Sequence, residues 1–490
     1  MKKIDRTRID AMCITFGSTI RQAMEVISRG GVGTAFIIDS KTKNFLGLIT
    51  DGDIRRAILK GGGDLETKIE FVKRPAPTTA AIGMKPEEIK KMFGEKVRVI
   101  PVLDEENRIV DIALYDQRFH LPVAEPSIGE KELSYVTDCI VSNWVSSSGK
   151  YVTQFESLFA QFCETQYAIA TSNGTTALHL ALLALDIGPQ DEVLVPSLSF
   201  IATANAVTYT GAKPVFIDSE RSTWNIDPDQ LKRAITPRTK AIIPVHLYGH
   251  PADMDPILKI ARQHKLAVIE DAAEAHGAEY KGKKVGGIAD IGIFSFYGNK
   301  IITTGEGGML VTNNPDIAQR VRLLRGHGMS TSKRYWHPVL GYNYRLTNIQ
   351  AAIGVAQLER IETILKAKLQ IAEYYEEQLK GIPGITCPPR ASWAKNVYWL
   401  YSIVVEKEYG MGRDPLMQEL GLRHIDSRPF FPPIHTQPIY NTGEDLPICQ
   451  ELANKGLSLP SSTDLEEHEV DRVCQSIREI YQGVKSNIQV

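Results

Sequence analysis

Beyond residue 128 the sequence alternates short apolar runs with helical stretches over roughly 230 residues. The runs that read as buried strands are Tyr167–Thr171, Glu192–Val195, Pro214–Asp218, Ala241–His246, Ala267–Asp271 and Asp290–Phe296, with stretches such as Pro256–Gln263 between them. Runs without polar alternation, separated by helices, predict an α/β domain: a mainly parallel sheet with crossover helices on both faces.

Two flanking regions depart from that pattern. The segment 359–490 opens with a long amphipathic helix, Leu358 to Leu379, then turns mixed, and predicts a smaller α+β domain. The first 120 residues run helix, strand, turn, strand, helix, with strands at Thr34–Asp39 and Phe45–Thr50. About 65 residues later the order recurs, with a helix at Pro86–Phe93 and strands at Val97–Asp104 and Arg108–Leu114. Neither copy alone could bury a sheet face, so the two should pack together. At 490 residues the chain has length for about three domains. Their predicted extents are 1–120, 121–358 and 359–490, with the proline-containing stretch His120 to Ser127 as linker.

The repeated unit resembles a cystathionine-β-synthase (CBS) domain pair, a family that binds adenosine nucleotides or similar ligands. Its first copy carries the signature Gly47-Leu48-Ile49-Thr50-Asp51-Gly52-Asp53, which makes the Thr50 hydroxyl and the Asp53 carboxylate candidates to face a ribose. The matching positions of the second copy, Asp111, Leu114 and Gln117, lack both groups, so one nucleotide site at most is expected. A pair that only mediates oligomer contacts is the alternative.

Composition narrows the setting. Lys+Arg 56 against Asp+Glu 58 leaves a net charge of -2, with no global field to draw the chain to nucleic acid or an anionic membrane. The charged N-terminus has no apolar leader, and the longest apolar stretch, Leu178 to Ile187, is broken by His179 and Asp186 and is too short to span a bilayer. The 6 cysteines are scattered without a CxxC pair, so neither a disulfide framework nor a metal site is expected, and a cytoplasmic setting is.

Chemistry in such sheets collects at the carboxyl ends of the strands. After Tyr167–Thr171 come Ser172-Asn173-Gly174-Thr175-Thr176 and an apolar helix. This is either a phosphate cradle at a helix N-terminus or an ordinary cap. Strand Ala267–Glu270 ends in Asp271; a carboxylate there calls for a cation or protonated ring nitrogen, or caps a helix. Strand Asp290–Phe296 leads through Tyr297-Gly298-Asn299 to Lys300 and a glycine-rich turn. A lysine so placed can be desolvated, as an imine-forming amine requires, although most lysines are solvated surface residues. Cradle, strand-end Asp and strand-end Lys in that order resemble the arrangement of a fold type I pyridoxal phosphate (PLP) enzyme. There the Lys holds the aldehyde, the Asp keeps the pyridine nitrogen protonated and the helix holds the phosphate.

The likeness is closer than fold. Residues from about 122 to 485 resemble the DegT/DnrJ/StrS family of sugar-nucleotide aminotransferases. The matching motifs are Ser172-Asn173-Gly174-Thr175-Thr176-Ala177-Leu178, Gly211-Ala212-Lys213-Pro214-Val215-Phe216-Ile217-Asp218, Glu270-Asp271-Ala272-Ala273-Glu274-Ala275-His276-Gly277 and Gly341-Tyr342-Asn343-Tyr344-Arg345-Leu346-Thr347-Asn348. By position the resemblance implies catalytic roles for Lys300, Asp271 and Glu274. It also implies cofactor contacts from Gly174, Thr175 and Ser295 to the phosphate, and from Phe200 to the ring. Asn343 would reach the phosphate of a neighbouring subunit, implying a homodimer or larger assembly with shared sites. Glu274 stands where many members carry Gln or His. Within the family the Phe294–Gly308 segment and Arg334-Tyr335-Trp336-His337-Pro338 look most like the perosamine synthase branch. That branch aminates C4 of GDP-4-keto-6-deoxymannose for surface polysaccharides. Ser147, Tyr335, Trp336, His337 and Arg345 become candidate sugar-nucleotide contacts, with Tyr335 and Trp336 equally readable as a packing cluster.

The expected reaction is a ping-pong exchange of an amino group from L-glutamate to a nucleotide-linked 4-keto-6-deoxy sugar. Two alternatives stay open: the same chemistry on a UDP- or dTDP-linked keto sugar or a nonulosonate, and a non-catalytic nucleotide sensor on a PLP fold.

Overall fold

The computed structural model describes residues 6–59, 64–72, 74–94, 97–114 and 120–488. The chain divides into two compact units, Met1–Phe119 and His120–Val490. The segments expected as separate domains, 121–358 and 359–490, thus share one unit. Among the described residues no helix is long and apolar enough to cross a membrane.

In the first unit β1 (Cys13–Thr15), β2 (Thr34–Ile38) and β3 (Phe45–Thr50) form a sheet with β1 parallel and β3 antiparallel to β2. The strands β4 (Ala80–Ala81), β5 (Val99–Leu103) and β6 (Ile109–Leu114) repeat that arrangement. Even the register irregularity recurs, between Ile37 and Ile38 and between Val102 and Leu103. Phe36 and Phe45 of the first copy share an apolar cluster with Val99 and Ile112 of the second, which is how each covers its sheet. The helix Ile20–Gly30 starts at a capping box of Thr19 with Gln22 and stops at Gly31, whose φ of 68° suits a residue without Cβ. Gln117 lies outside the described residues.

In the second unit the predicted strands appear as β7 (Tyr167–Thr171), β8 (Glu192–Pro196), β9 (Lys213–Ile217), β10 (Thr239–Ile242), β11 (Ala267–Asp271) and, after the short β12 (Glu279–Tyr280) and β13 (Lys283–Lys284), β14 (Ile291–Ser295). A further strand, β15 (Gly308–Thr312), was hidden from sequence reading behind the glycines of the preceding turn. The sheet order is β7-β15-β14-β11-β10-β8-β9. Neighbours from β14 to β9 pair in parallel, while β15 is antiparallel to both β14 and β7. The carboxyl ends of β7, β8, β11 and β14 therefore share one edge.

The C-terminal lobe carries β16 (Ile385–Thr386), β17 (Ala394–Lys395), β18 (Tyr401–Val405), β19 (Arg428–Pro429) and β20 (Gly456–Leu459). The antiparallel order is β16-β18-β20-β19, and β17 pairs with β12 instead. The long helix begins at Ile361, because the turn Glu359–Arg360 separates it from the helix Asn348–Leu358. It and the helix Glu467–Ile488 supply a second apolar cluster, built on residues such as Tyr375, Tyr401, Leu457 and Val473.

Candidate active site

The strand ends surround a cavity of about 510 Å³ lined by Gly174, Thr175, Phe200, Asp271, Glu274, Ser295 and Lys300, among others. Seven sequence-predicted residues from four separate segments are thereby brought together.

Asn173 caps the helix Gly174–Ala184: its side chain accepts from Thr176 N at 2.9 Å, while Thr176 Oγ1 donates back to Asn173 O at 2.8 Å. Gly174 and Thr175 lie in the first turn, where backbone N–H groups have no intrahelical acceptor and the helix dipole favours an anion. A Cβ on Gly174 would stand 2.9 Å from Ser295 Cβ, so glycine lets the helix start and the end of β14 close into one cradle.

Asp271 is buried, and burial pushes its carboxyl above the usual carboxylate range against the pull of Thr203, the Ala273 amide and Lys300. Thr203 Oγ1 donates to Oδ2 at 2.8 Å and Ala273 N to Oδ1 at 3.2 Å. Neither donor is a cation, so a positive ring nitrogen would complete the set. Lys300 Nζ lies 3.5 Å from Glu274 Oε1 and 3.7 Å from the centroid of the Trp399 ring. Burial lowers its pKa, with Glu274 and Asp271 opposing. The Glu274 carboxyl is in turn raised by burial. Its Oε2 accepts from Tyr248 N at 2.8 Å. Tyr248 holds that N–H in place from a left-handed conformation (φ 53°), a strained choice for an aromatic residue. Phe200 lines the wall with its ring 5.8 Å from that of Phe431.

The remaining candidates are elsewhere. Asn343, Ser147, Tyr335, Trp336, His337 and Arg345 do not line this cavity within the chain. Arg345 donates to Asn343 Oδ1 and reaches His327 Nε2, and His337 Nδ1 lies 2.9 Å from His327 O. Tyr335 and Trp336 are 74% and 55% exposed, so within one chain they are not a packing cluster. Sequence reading missed Thr203, Tyr248, Trp399 and Arg428, all lining the cavity. Thr203 and Tyr248 carry no local signal. Trp399 and Arg428 come from the C-terminal lobe, which only tertiary folding brings here.

In the first unit, Thr50 and Asp53 meet each other. Asp53 Oδ2 accepts from Thr50 N at 3.0 Å and Thr50 Oγ1 at 2.8 Å, and Asp53 N donates to Thr50 Oγ1 at 3.2 Å. Arg56 holds the other oxygen at 2.6 Å. The pair caps the helix Asp51–Leu59, which accounts for a buried carboxylate there.

An anion cradle, a buried carboxylate and a desolvated lysine at the ends of a mostly parallel sheet define the class of PLP-dependent fold type I transferases. Residues 126–478 match the DegT/DnrJ/EryC1/StrS aminotransferase family, to which the chain belongs. Residues 3–60 match the CBS domain. The chain is 49% identical to the GDP-perosamine synthase of Caulobacter vibrioides over 363 residues, 74% of this chain and 98% of that protein. It is 45% identical to the Escherichia coli O157:H7 GDP-perosamine synthase, over 74% and 99%. A Streptococcus pneumoniae chain solved in its PLP form superposes with a TM-score of 0.71 at 29% identity, over 74% of this chain and 99% of that one. The enzyme is a PLP-dependent sugar aminotransferase.

Proposed function

We propose that the protein transfers the amino group of L-glutamate to C4 of a GDP-linked 4-keto-6-deoxy sugar, giving a product of the GDP-perosamine type. The observation that carries this reading is the 49% identity to a GDP-perosamine synthase along 98% of that protein's length.

When bound, PLP supplies an aldehyde and an electron-withdrawing ring that stabilises charge at the carbon bearing the amine. Lys300 would hold the aldehyde, and its Nζ would serve as the base and acid at that carbon, a task that its burial favours by stabilising the neutral amine. Asp271 would pair with the ring nitrogen. The Gly174 and Thr175 amides with Ser295 would hold the phosphate, and Phe200 would stack on the ring. Glu274 stands beside Lys300 and would supply or accept a proton near the oxygen carried on the ring.

Asn343 completes the cradle of a second subunit in a homodimer, where Ser147, Tyr335, Trp336, His337 and Arg345 contact the nucleotide sugar. That they do not line the cavity of their own chain, and that Tyr335 and Trp336 are exposed, favours that arrangement. The enzyme divides into a large domain, 121–358, and a small one, 359–490, and works in the cytoplasm. The CBS pair takes an adenosine nucleotide near Thr50 and Asp53.

The test offers the purified full-length chain L-glutamate, then GDP-, UDP- and dTDP-linked 4-keto-6-deoxy sugars, and follows 2-oxoglutarate and sugar amine. Preference for the GDP sugar is expected; preference for another nucleotide overturns the substrate. Absence of the glutamate half-reaction overturns the enzymatic reading. For the CBS pair, adenosine nucleotides should shift activity or melting temperature, and no response to any of them removes the ligand.

A further inference from the structure

The helix Ile361–Leu379 buries Ile361, Ile364, Ile371, Ala372 and Tyr375 along one stripe, and Lys368 occupies the same stripe at 5% exposure. A lysine at such a position loses its hydration and needs matched acceptors. Burial alone moves its pKa, and among the described residues no carboxylate opposes it. Instead Nζ donates to Trp399 O at 2.7 Å and to Ser461 O at 2.5 Å.

Those two carbonyls belong to segments that meet nowhere in sequence, one just before β18 and one just after β20. Trp399 presents its ring to Lys300 Nζ, and its Nε1 donates to the carbonyl of Asn299, the residue before that lysine. Ser461 accepts at Oγ from Tyr401 N at 2.8 Å and donates its own N–H to Val123 O at 2.7 Å. One buried amine thus joins the helix, the Trp399 wall and the Ser461 turn. Without it both carbonyls would be buried without that donor.

We infer that Lys368 is a positioning residue for the transamination, fixing Trp399 against Lys300 by bridging the carbonyls of Trp399 and Ser461. The inference rests on Lys300 as the reacting lysine. Trp399 keeps water from Nζ, and burial is the largest influence on Lys300, ahead of Glu274 and Asp271, with the neutral His276 also nearby. A cation over an aromatic face gains less than full hydration would return, so a loosened wall should raise the affinity of Lys300 for its proton. Burial brings Lys368 itself down to about 7. A neutral amine retains two N–H donors, so both bonds survive loss of the proton and the joint is not itself a pH switch.

The test uses the full-length chain stripped of cofactor, in which the pH dependence of Lys300 acylation by acetic anhydride is read by mass spectrometry. Lys368→Met keeps the apolar stem and loses both donors. Its Lys300 midpoint should rise by about one pH unit, Trp399→Leu should give a similar rise, and the double variant should exceed neither single one. In the reloaded enzyme the pH midpoint of the cofactor's visible absorbance should move the same way. A lower melting temperature with an unshifted midpoint, or additive shifts in the double variant, overturns the proposal. If Lys368→Met does not accumulate as folded protein, Lys368→Gln carries the same test; a smaller rise is expected and no shift overturns it. Failure of wild-type Lys300 to react with PLP would overturn the aminotransferase reading, a separate result visible before any variant is made.

Discussion

Lys300 lies between a carboxylate at 3.5 Å and an aromatic face at 3.7 Å, in surroundings that disfavour its charge. Lys300→Ala should abolish the visible absorbance of bound cofactor and lower turnover by about a thousandfold or more, since the proposed function routes both attachment and proton transfer through that nitrogen. Full activity in the variant would sink the assignment. A second residue-scale prediction concerns His276, buried against Phe159, Phe294 and Phe296 with neither ring nitrogen hydrogen-bonded. Burial, helped by nearby Lys300, takes its pKa from 6.5 down to about 3, with the Ser295 backbone only weakly opposing. The unfolded chain therefore binds the proton first as pH falls below 6.5, so this group costs stability on acidification. The cost should reach about 2 kcal/mol between pH 7.5 and pH 5. His276→Leu should flatten the fall of melting temperature over that interval. An unchanged slope would show that other groups set the acid limit.

At the scale of elements, the cradle depends on how closely its neighbours approach. The strand β15 runs against the Asn173 turn, and a Cβ on Gly308 would stand 2.3 Å from Asn173 O, backbone that cannot swing aside. Gly308→Ala should displace the helix cap, costing about 1–3 kcal/mol by overpacking and weakening cofactor retention. Thermal melting and cofactor dissociation measure the two effects. Gly421, near the end of the helix Arg413–Leu422, has open space around it, so Gly421→Ala should instead stabilise by up to about 1 kcal/mol. Equal destabilisation by both substitutions would refute the close-approach account.

For the whole molecule, the second unit accounts for the family match, over residues 126–478, and the first carries a stretch, residues 3–60, that matches the CBS domain. The proposed sharing of sites between subunits makes a sharp prediction. Asn343→Ala and Lys300→Ala should each be nearly inactive alone. Mixed and allowed to exchange subunits, they should recover about a quarter of wild-type activity, because half the dimers would hold one intact site of two. No recovery despite demonstrated exchange would mean that each chain builds its site alone.

Much was legible in the sequence where chemistry and local pattern coincide. Tyr167–Thr171 and Ala267–Asp271 form strands with the expected bounds, because uniform apolar runs between helices can do little else. Gly174, Asp271 and Lys300 stood out because each lies at or just beyond a strand end, where a parallel sheet opens to a ligand. The strand β15 was not legible, since its glycines look like a turn until β7 and β14 pair with it on both sides. Thr50 and Asp53, legible as a pair, proved to bond to each other as well. Local sequence thus determined the strands, the caps and the reactive groups. Only the tertiary structure decided what surrounds Lys300, because Thr203, Tyr248 and Trp399 reach the cavity from segments far apart in sequence, and their effect on the lysine is burial, a property of the assembled fold.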